Sequence, residues 1–237
     1  MANMELIGGP TGGQISSTTA SITFSNIPQT YTDLKLIFSV RGSATENGDN
    51  PNVSFNGSTS NFTDMELRGS GSAVASYTRS STIIGYANDA GGTSNTFSSG
   101  EIYIPNYTSS NYKSNSVDIV QENNAAFAFA ILGARLWSSV NPITSITLTV
   151  QSGVNSFVAG STFYLYGISN VTSGSKAIGG IVSSDGTYWY HMFPYSSTFT
   201  PTQSLTADVL VVGGGGSGGA NIGGGGGAGG LRYFASQ

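Results

Sequence analysis

Apolar residues recur at every second position along most of this chain, and helical spacing is nearly absent. Ile22 and Phe24 alternate with polar neighbours in SITFS, and Leu34, Leu36, Phe38 and Val40 form one face of DLKLIFSVR. Val53 and Phe55 follow in NVSFNG, and Met65 and Leu67 share a face in FTDMELRG. The pattern continues with Ile102 and Ile104, Val117 and Ile119, then Phe127, Phe129 and Ile131. Ile146, Leu148 and Val150 mark ITLTV, and Phe163 and Leu165 mark TFYLYGI. Clusters of Gly, Asn, Ser and Pro such as SNIPQT, ENGDNPN, NDAGGTSN and SSVNP interrupt these runs and break strands. About ten strands with no helix predict an antiparallel β-sandwich. One face of each sheet is then buried and the other solvated. Residues 1–169 read as one such domain. The number of strands and the lack of a Cys-Trp-Cys hallmark favour a jelly-roll-like sandwich over an immunoglobulin-like one.

The pattern changes after that domain. The stretch 170–180, NVTSGSKAIGG, reads as a small-residue linker. A small aromatic and glycine-rich β module is expected over 181–237, with strands at 187–193, 197–200 and 205–214. The strand DVLVV runs directly into glycine, and thirteen of the positions 213–230 are glycine. No helix can follow it, because glycine in a helix interior costs about 1 kcal/mol per residue relative to alanine. The segment is either a flexible tail or backbone packed on backbone, as in polyglycine lattices. Three short strands do not close a sheet alone. The module is therefore expected to need other copies of the chain, or further sequence, to complete it.

Composition narrows the function classes. Of 237 residues only 8% are charged, against about a quarter in an ordinary globular domain. Ser, Thr, Asn and Gly take their place, which suits extended β proteins and bulk assemblies. The net charge is −4 and the eight Lys and Arg are scattered, so no basic patch exists to track the phosphates of nucleic acid. The chain has no cysteine, which excludes disulfides, thiolate metal sites and a cysteine nucleophile. MANMELIGGP lacks the apolar core of a signal peptide. No run of about 18 apolar residues is present, so no membrane insertion is expected. The expectation is a soluble protein made in a cytosol.

Candidate chemistry is sparse. Gly213-x-Gly215-x-x-Gly218 follows a strand, as a dinucleotide fingerprint does. That mechanism needs a helix N-terminus facing the pyrophosphate, and GANIGGGGGAGG supplies none. His191 is the one histidine, and a packed or hydrogen-bonded role accounts for it more simply than catalysis. The twelve carboxylates form no recognisable catalytic pair; Asp64 and Glu66 share a strand face, as many solvent-facing pairs do. The oxygen-rich turn ENGDN (46–50) has the ligand type for calcium without EF-hand spacing, and reads better as a solvated turn. No enzyme activity, cofactor or metal is expected. The best binding candidate is the aromatic run Tyr188, Trp189, Tyr190, His191, Phe193 and Tyr195. In a strand Tyr188, Tyr190 and Met192 face one way, and Trp189, His191 and Phe193 the other. One face is expected to be core and the other a contact surface. Gly213, Gly216, Gly223 and Gly227 complete the candidate contact set.

The first domain resembles a β-sandwich module of tailed-bacteriophage virion proteins, particularly those of marine phages. The segments that carry the resemblance are ITFSNIPQTYTDLKLIFSVR, VSFNGSTSNFTDMELRGSGS, IYIPNYTSSNYKSNSVDIVQENNA, LWSSVNPITSITLTVQSG and TFYLYGI. TFTPTQSLTADVLVVGGGGSGG and GGGGGAGG resemble the glycine-rich region of phage tail-fibre adhesins. In such adhesins the glycine runs form packed polyglycine helices with receptor-contacting loops at the tip. This chain departs from that pattern by stopping soon after its second glycine run. The resemblance implies a non-enzymatic virion structural protein, a tail fibre or fibre-like appendage. It also implies a homotrimer, other virion proteins as partners, and a host cell-surface glycan or outer-membrane protein as receptor. The rival it leaves open is a capsid decoration protein or head fibre.

Overall fold

The computed structural model describes residues 3–46, 48–124, 128–151, 154–169, 176–185, 188–219 and 225–237. The chain divides into two compact units, Met1–Thr172 and Ser173–Gln237. The first is an all-β sandwich. Its strands are β1 (Asn3–Gly8), β2 (Ser21–Phe24), β3 (Asp33–Val40), β4 (Pro51–Phe55), β5 (Phe62–Gly69), β6 (Val74–Arg79), β7 (Ser98–Ile104), β8 (Lys113–Gln121), β9 (Phe129–Trp137), β10 (Ile146–Val150) and β11 (Thr162–Ser169). Eight of them form one sheet in the order β1-β11-β3-β7-β8-β9-β5-β6, and three form a second in the order β2-β10-β4. Every pairing is antiparallel.

The alternation read from the sequence sets the core. Leu34, Leu36, Phe38, Ile102, Ile104, Val117, Ile119, Phe163 and Leu165 point inward from the large sheet. Phe24, Val53, Phe55, Ile146, Leu148 and Val150 meet them from the small one. Each such side chain stabilises the fold by about 1.5–3 kcal/mol on burial. The ring of Phe55 on β4 lies 5.6 Å from both Phe62 on β5 and Trp137 on β9, clamping the two sheets together. A three-stranded sheet cannot cover an eight-stranded one. An irregular strap extends it: Val53 N donates to Thr82 O, Ile84 N to Pro51 O, and Ala87 and Asp49 exchange both backbone bonds. Gly85 in this strap has φ +145, and a Cβ there would stand 2.5 Å from Ile119 Cγ2. Glycine is what allows the strap to lie on β8 and β9.

The strand β5 is inverted relative to the sequence reading. Met65 is 62% exposed and Leu67 51%, whereas Phe62, Asp64 and Glu66 are buried. The reason lies in the partners. Asp64 sits opposite Arg79 on β6 and Arg135 on β9, and Glu66 pairs with Arg79 at 2.7 Å. Buried carboxylates are tolerable only where such cations accompany them. Desolvation raises the Asp64 carboxyl pKa, with the Arg135 and Arg79 charges opposing that rise. Desolvation also pulls the Arg135 guanidinium down to about 10, against the Asp64 charge.

The edge strands β1 and β6 were not expected from the sequence, and each carries exposed apolar residues (Met4 and Leu6; Val74) with no clean inward face. Phe127, placed in the alternation above, lies outside the described residues.

The second unit holds β12 (Ala177–Ile178), β13 (Ile181–Ser184), β14 (Trp189–Met192), β15 (Thr200–Pro201), β16 (Val209–Val212) and β17 (Leu231–Phe234). They pair as three two-stranded ribbons, β12-β15, β13-β14 and β16-β17. The linker expected over 170–180 ends in structure: Ala177 and Ile178 pair with Pro201 and Thr200. Its residues 170–175 lie outside the described residues.

Candidate functional site

The aromatic run folds as a hairpin, with Ile181 opposite Met192, Val182 opposite His191, Ser183 opposite Tyr190 and Ser184 opposite Trp189. Asp185 organises its turn. One carboxylate oxygen accepts the Tyr188 amide at 2.8 Å and the other the Tyr190 hydroxyl at 2.6 Å. That hydroxyl bond raises the Tyr190 pKa.

The expectation that one hairpin face is core is corrected by the structure. Tyr188, Tyr190 and Met192 are exposed on one face, and Trp189 and Phe193 on the other. Tyr195, beyond the strand, is 84% exposed. Only His191 is half-buried. Its Nδ1 lies 2.7 Å from Gly179 O, and its ring meets the Phe199 ring edge-on at 5.1 Å. The histidine is thus packed, as its isolation in the sequence suggested. Gly179 is required beside it: a Cβ there would stand 1.9 Å from Thr198 O, at φ +111.

The ribbon β16-β17 is equally bare. Val209, Leu210, Val211, Val212, Leu231, Tyr233 and Phe234 are all exposed. Asp208 closes its open end by accepting the Tyr233 hydroxyl at 2.7 Å and the Ser236 amide at 2.9 Å. The tyrosine bond, then the amide bond, lower the Asp208 pKa. Among the described residues of this unit, the buried apolar side chain is Ala177.

The glycine runs continue the register of this ribbon in a different geometry. Val212 faces Leu231; beyond them Gly213 N donates to Gly230 O at 2.7 Å, and Gly216 N to Gly227 O at 3.0 Å. The bonds recur after three residues instead of the two of a β ladder. This is the repeat of an extended helix with about three residues per turn, the polyproline II type. Sterics repeat with the same period. A Cβ at Gly226 would stand 1.9 Å from Gly216 O, and one at Gly229 1.8 Å from Gly213 O. At Gly214, Gly225, Gly227 and Gly230 it would meet nothing within 4 Å. Two extended runs therefore lie backbone to backbone, with other sides bare. Gly213, Gly216 and Gly227 of the candidate set belong to this ladder, and Gly223 lies outside the described residues. β16 is followed by this ladder and an antiparallel partner, not by a phosphate-binding helix.

Elsewhere the candidates disperse. In the ENGDN turn, Asp49 accepts the Ala44 amide and the Asn155 side-chain amide. Neighbouring Asp89 accepts four backbone amides, from Glu46, Gly48, Gly91 and Gly92. These carboxylates knot the loop together, a role that spacing alone does not reveal. Among the described residues no group of three or more His, Asp or Glu side chains is arranged to hold a metal ion. A cleft of about 400 Å³ opens between β1 and β2, lined by Ile7, Ile22, Phe24, Ile27, Pro28 and Leu165 with small neighbours, none of them ionisable. Among the described residues no helix is long and apolar enough to cross a membrane. No protein-family model, curated protein or solved structure matches the chain.

Proposed function

We propose that this chain is a non-enzymatic structural protein of a tailed-bacteriophage virion, acting as a tail fibre or fibre-like appendage. The observation that carries the reading is the second unit. Its ribbons expose aromatic and aliphatic side chains on both faces, and its glycine ladder leaves main chain bare. Large exposed apolar surfaces mark interaction sites. The sandwich anchors or spaces the appendage. The second unit meets further copies of the chain, as a homotrimer, and a host cell-surface glycan or outer-membrane protein. Trp189, Tyr190 and Tyr195 supply flat, rigid contact area, and weak single contacts gain strength through multivalency.

Virions carrying Trp189→Ala, Tyr190→Ala or both substitutions test this. Host adsorption is expected to fall while assembly and sandwich stability hold; unchanged adsorption in the double variant refutes the contact role. Sedimentation of the purified chain tests the trimer, and a monomer at micromolar concentration refutes it.

A second reading, capsid decoration or a head fibre, is favoured by one observation. The outer face of the large sheet exposes Met65 and Leu67 on β5 beside Leu132 on β9, an apolar patch suited to seating on a shell.

A further inference from the structure

The eight-stranded sheet ends at β6 on one side and at β1 on the other. A strand edge is a row of unpaired amides and carbonyls, which proteins blunt or cover. The edge at β1 is blunted: its register shifts between Leu6 and Gly8, and Pro10 follows. In the small sheet β2 is four residues long, and the strap covers β4. β6 has none of these protections. Its six residues pair with β5 without a shift, from Val74 opposite Gly69 to Arg79 opposite Asp64. It contains no proline or lysine, and its one charge, Arg79, is held by Glu66 at 2.7 Å. The phase of the ladder fixes which groups this edge presents. Ser70 N donates to Ala73 O at 2.9 Å across the hairpin turn, so these two form a hydrogen-bonded pair. Such pairs recur at every second position of an antiparallel ladder: Arg68 with Ala75, Glu66 with Tyr77 and Asp64 with Arg79. The amides and carbonyls of Val74, Ser76 and Thr78 therefore point away from β5. All three residues are exposed, and among the described residues no strand or bridge pairs with that side of β6.

We propose that β6 is a docking edge for a second copy of this chain, the two β6 strands pairing antiparallel about a two-fold axis at Ser76. In that register Ser76 faces its own counterpart, Val74 of each copy faces Thr78 of the other, and Ala75 faces Tyr77. Opposed residues share a sheet face, as cross-strand neighbours must. Val74, 75% exposed, gains the Thr78 methyl group, and the Tyr77 ring covers Ala75. Like charges do not meet. Arg79 of each copy lies opposite Ala73 of the other, so the two guanidinium groups stand about 20 Å apart along the strands, beyond the screening length of about 8 Å. A two-fold contact is isologous and closes on itself. It consumes both β6 edges and leaves the blunted β1 edges as the ends of the joined sheet. An unrelated strand could use the same main-chain groups; the closure and the matched side chains single out a second copy. The contact joins sandwiches and goes beyond the proposed function, since it asks nothing of the second unit.

The chain has no cysteine, so Ser76→Cys introduces a single thiol at the axis. Hydrogen-bonded cross-strand Cα atoms stand about 5.5 Å apart, within disulfide reach. Under mild oxidation the full chain carrying Ser76→Cys is expected to form a disulfide-linked dimer at least about tenfold faster than Ser116→Cys, because pairing holds the thiols at high effective concentration. Ser116 is the control, an exposed position on the central strand β8. Sedimentation gives the readout without a crosslink. Ser76→Pro removes an amide that β5 does not use, and Ser76→Lys sets two like charges face to face. Both are expected to lower the assembled mass of the full chain and to leave thermal unfolding of the sandwich in place. The proposed trimer is judged separately, by whether the Ser76→Lys chain sediments as a trimer or as a monomer. Crosslinking no faster than at Ser116, or an unchanged mass in both variants, would overturn the proposal. So would a disulfide from Ser76→Cys to a different protein in assembled virions, which would make the occupant a strand of that protein.

Discussion

Replacing Gly229 by alanine separates the glycine ladder from a flexible tail. The new methyl would begin 1.8 Å from Gly213 O, where ordinary contact starts near 3.4 Å. The runs must therefore separate by about 1.6 Å, which takes the 2.7 Å bond from Gly213 N to Gly230 O beyond hydrogen-bonding distance. The bond from Gly216 N to Gly227 O is strained with it. Two bonds at about 0.5–1.5 kcal/mol each are lost. Alanine returns about 0.4–1 kcal/mol by restricting the open chain. The net loss is about 1 kcal/mol, a fivefold rise in the open fraction. Gly227→Ala is the control, because its methyl meets nothing within 4 Å. Amide hydrogen exchange at Gly213 and Gly216 in the dilute purified chain reads the difference. Exchange is expected to be about fivefold faster in Gly229→Ala and unchanged or slower in Gly227→Ala. Equal acceleration in both variants, or unprotected amides in the parent, would refute the three-residue ladder.

Further outcomes follow from the sandwich. Met65→Thr is expected to change stability by less than about 0.5 kcal/mol, as a surface substitution does. Glu66→Gln strips Arg79 of its carboxylate and is expected to cost about 2 kcal/mol, below the fully buried range because Arg79 is partly exposed. Chemical denaturation of the two variants should therefore rank them opposite to a reading with Met65 inside. Gly85→Ala is expected to cost about 1–3 kcal/mol by overpacking against Ile119, with the loss visible as a lower midpoint of thermal unfolding. Tyr103 is pushed up from 10.0 to about 12, first by its hydrogen bond to Asp33, then by burial and the Asp33 charge. Its folded pKa exceeds the unfolded one, so its contribution is complete below pH 10 and lost as pH rises toward 12. Tyr103→Phe is expected to flatten that part of the alkaline stability profile; an unchanged slope would remove the Asp33 bond as its cause.

The fold class was legible because period-two alternation places Leu34, Leu36 and Phe38, or Ile146, Leu148 and Val150, on one face wherever the partners are also apolar. It failed at β5, where a reader assigns Met65 and Leu67 inward. The deciding information was Arg79 and Arg135, distant in sequence and adjacent in the sheet. β1 and β6 were missed because an edge strand is paired on one side only and need not show a buried face. The glycine stretch reads as helix-incompatible, and its described residues form no helix. Its three-residue bonding depends on which glycines meet across the ribbon, which composition does not encode. The aromatic hairpin was legible as a strand but not as a structure exposed on both sides. Its alternation is aromatic on both faces, so no pattern could mark one as core.

The proposed function makes this chain a component of a phage particle, placed on its tail. Mass spectrometry of purified virions, counting this chain against the major capsid protein, tests it most directly. A small multiple of three copies per particle is expected. Absence from purified particles, or a count comparable to the major capsid protein, would contradict the fibre assignment.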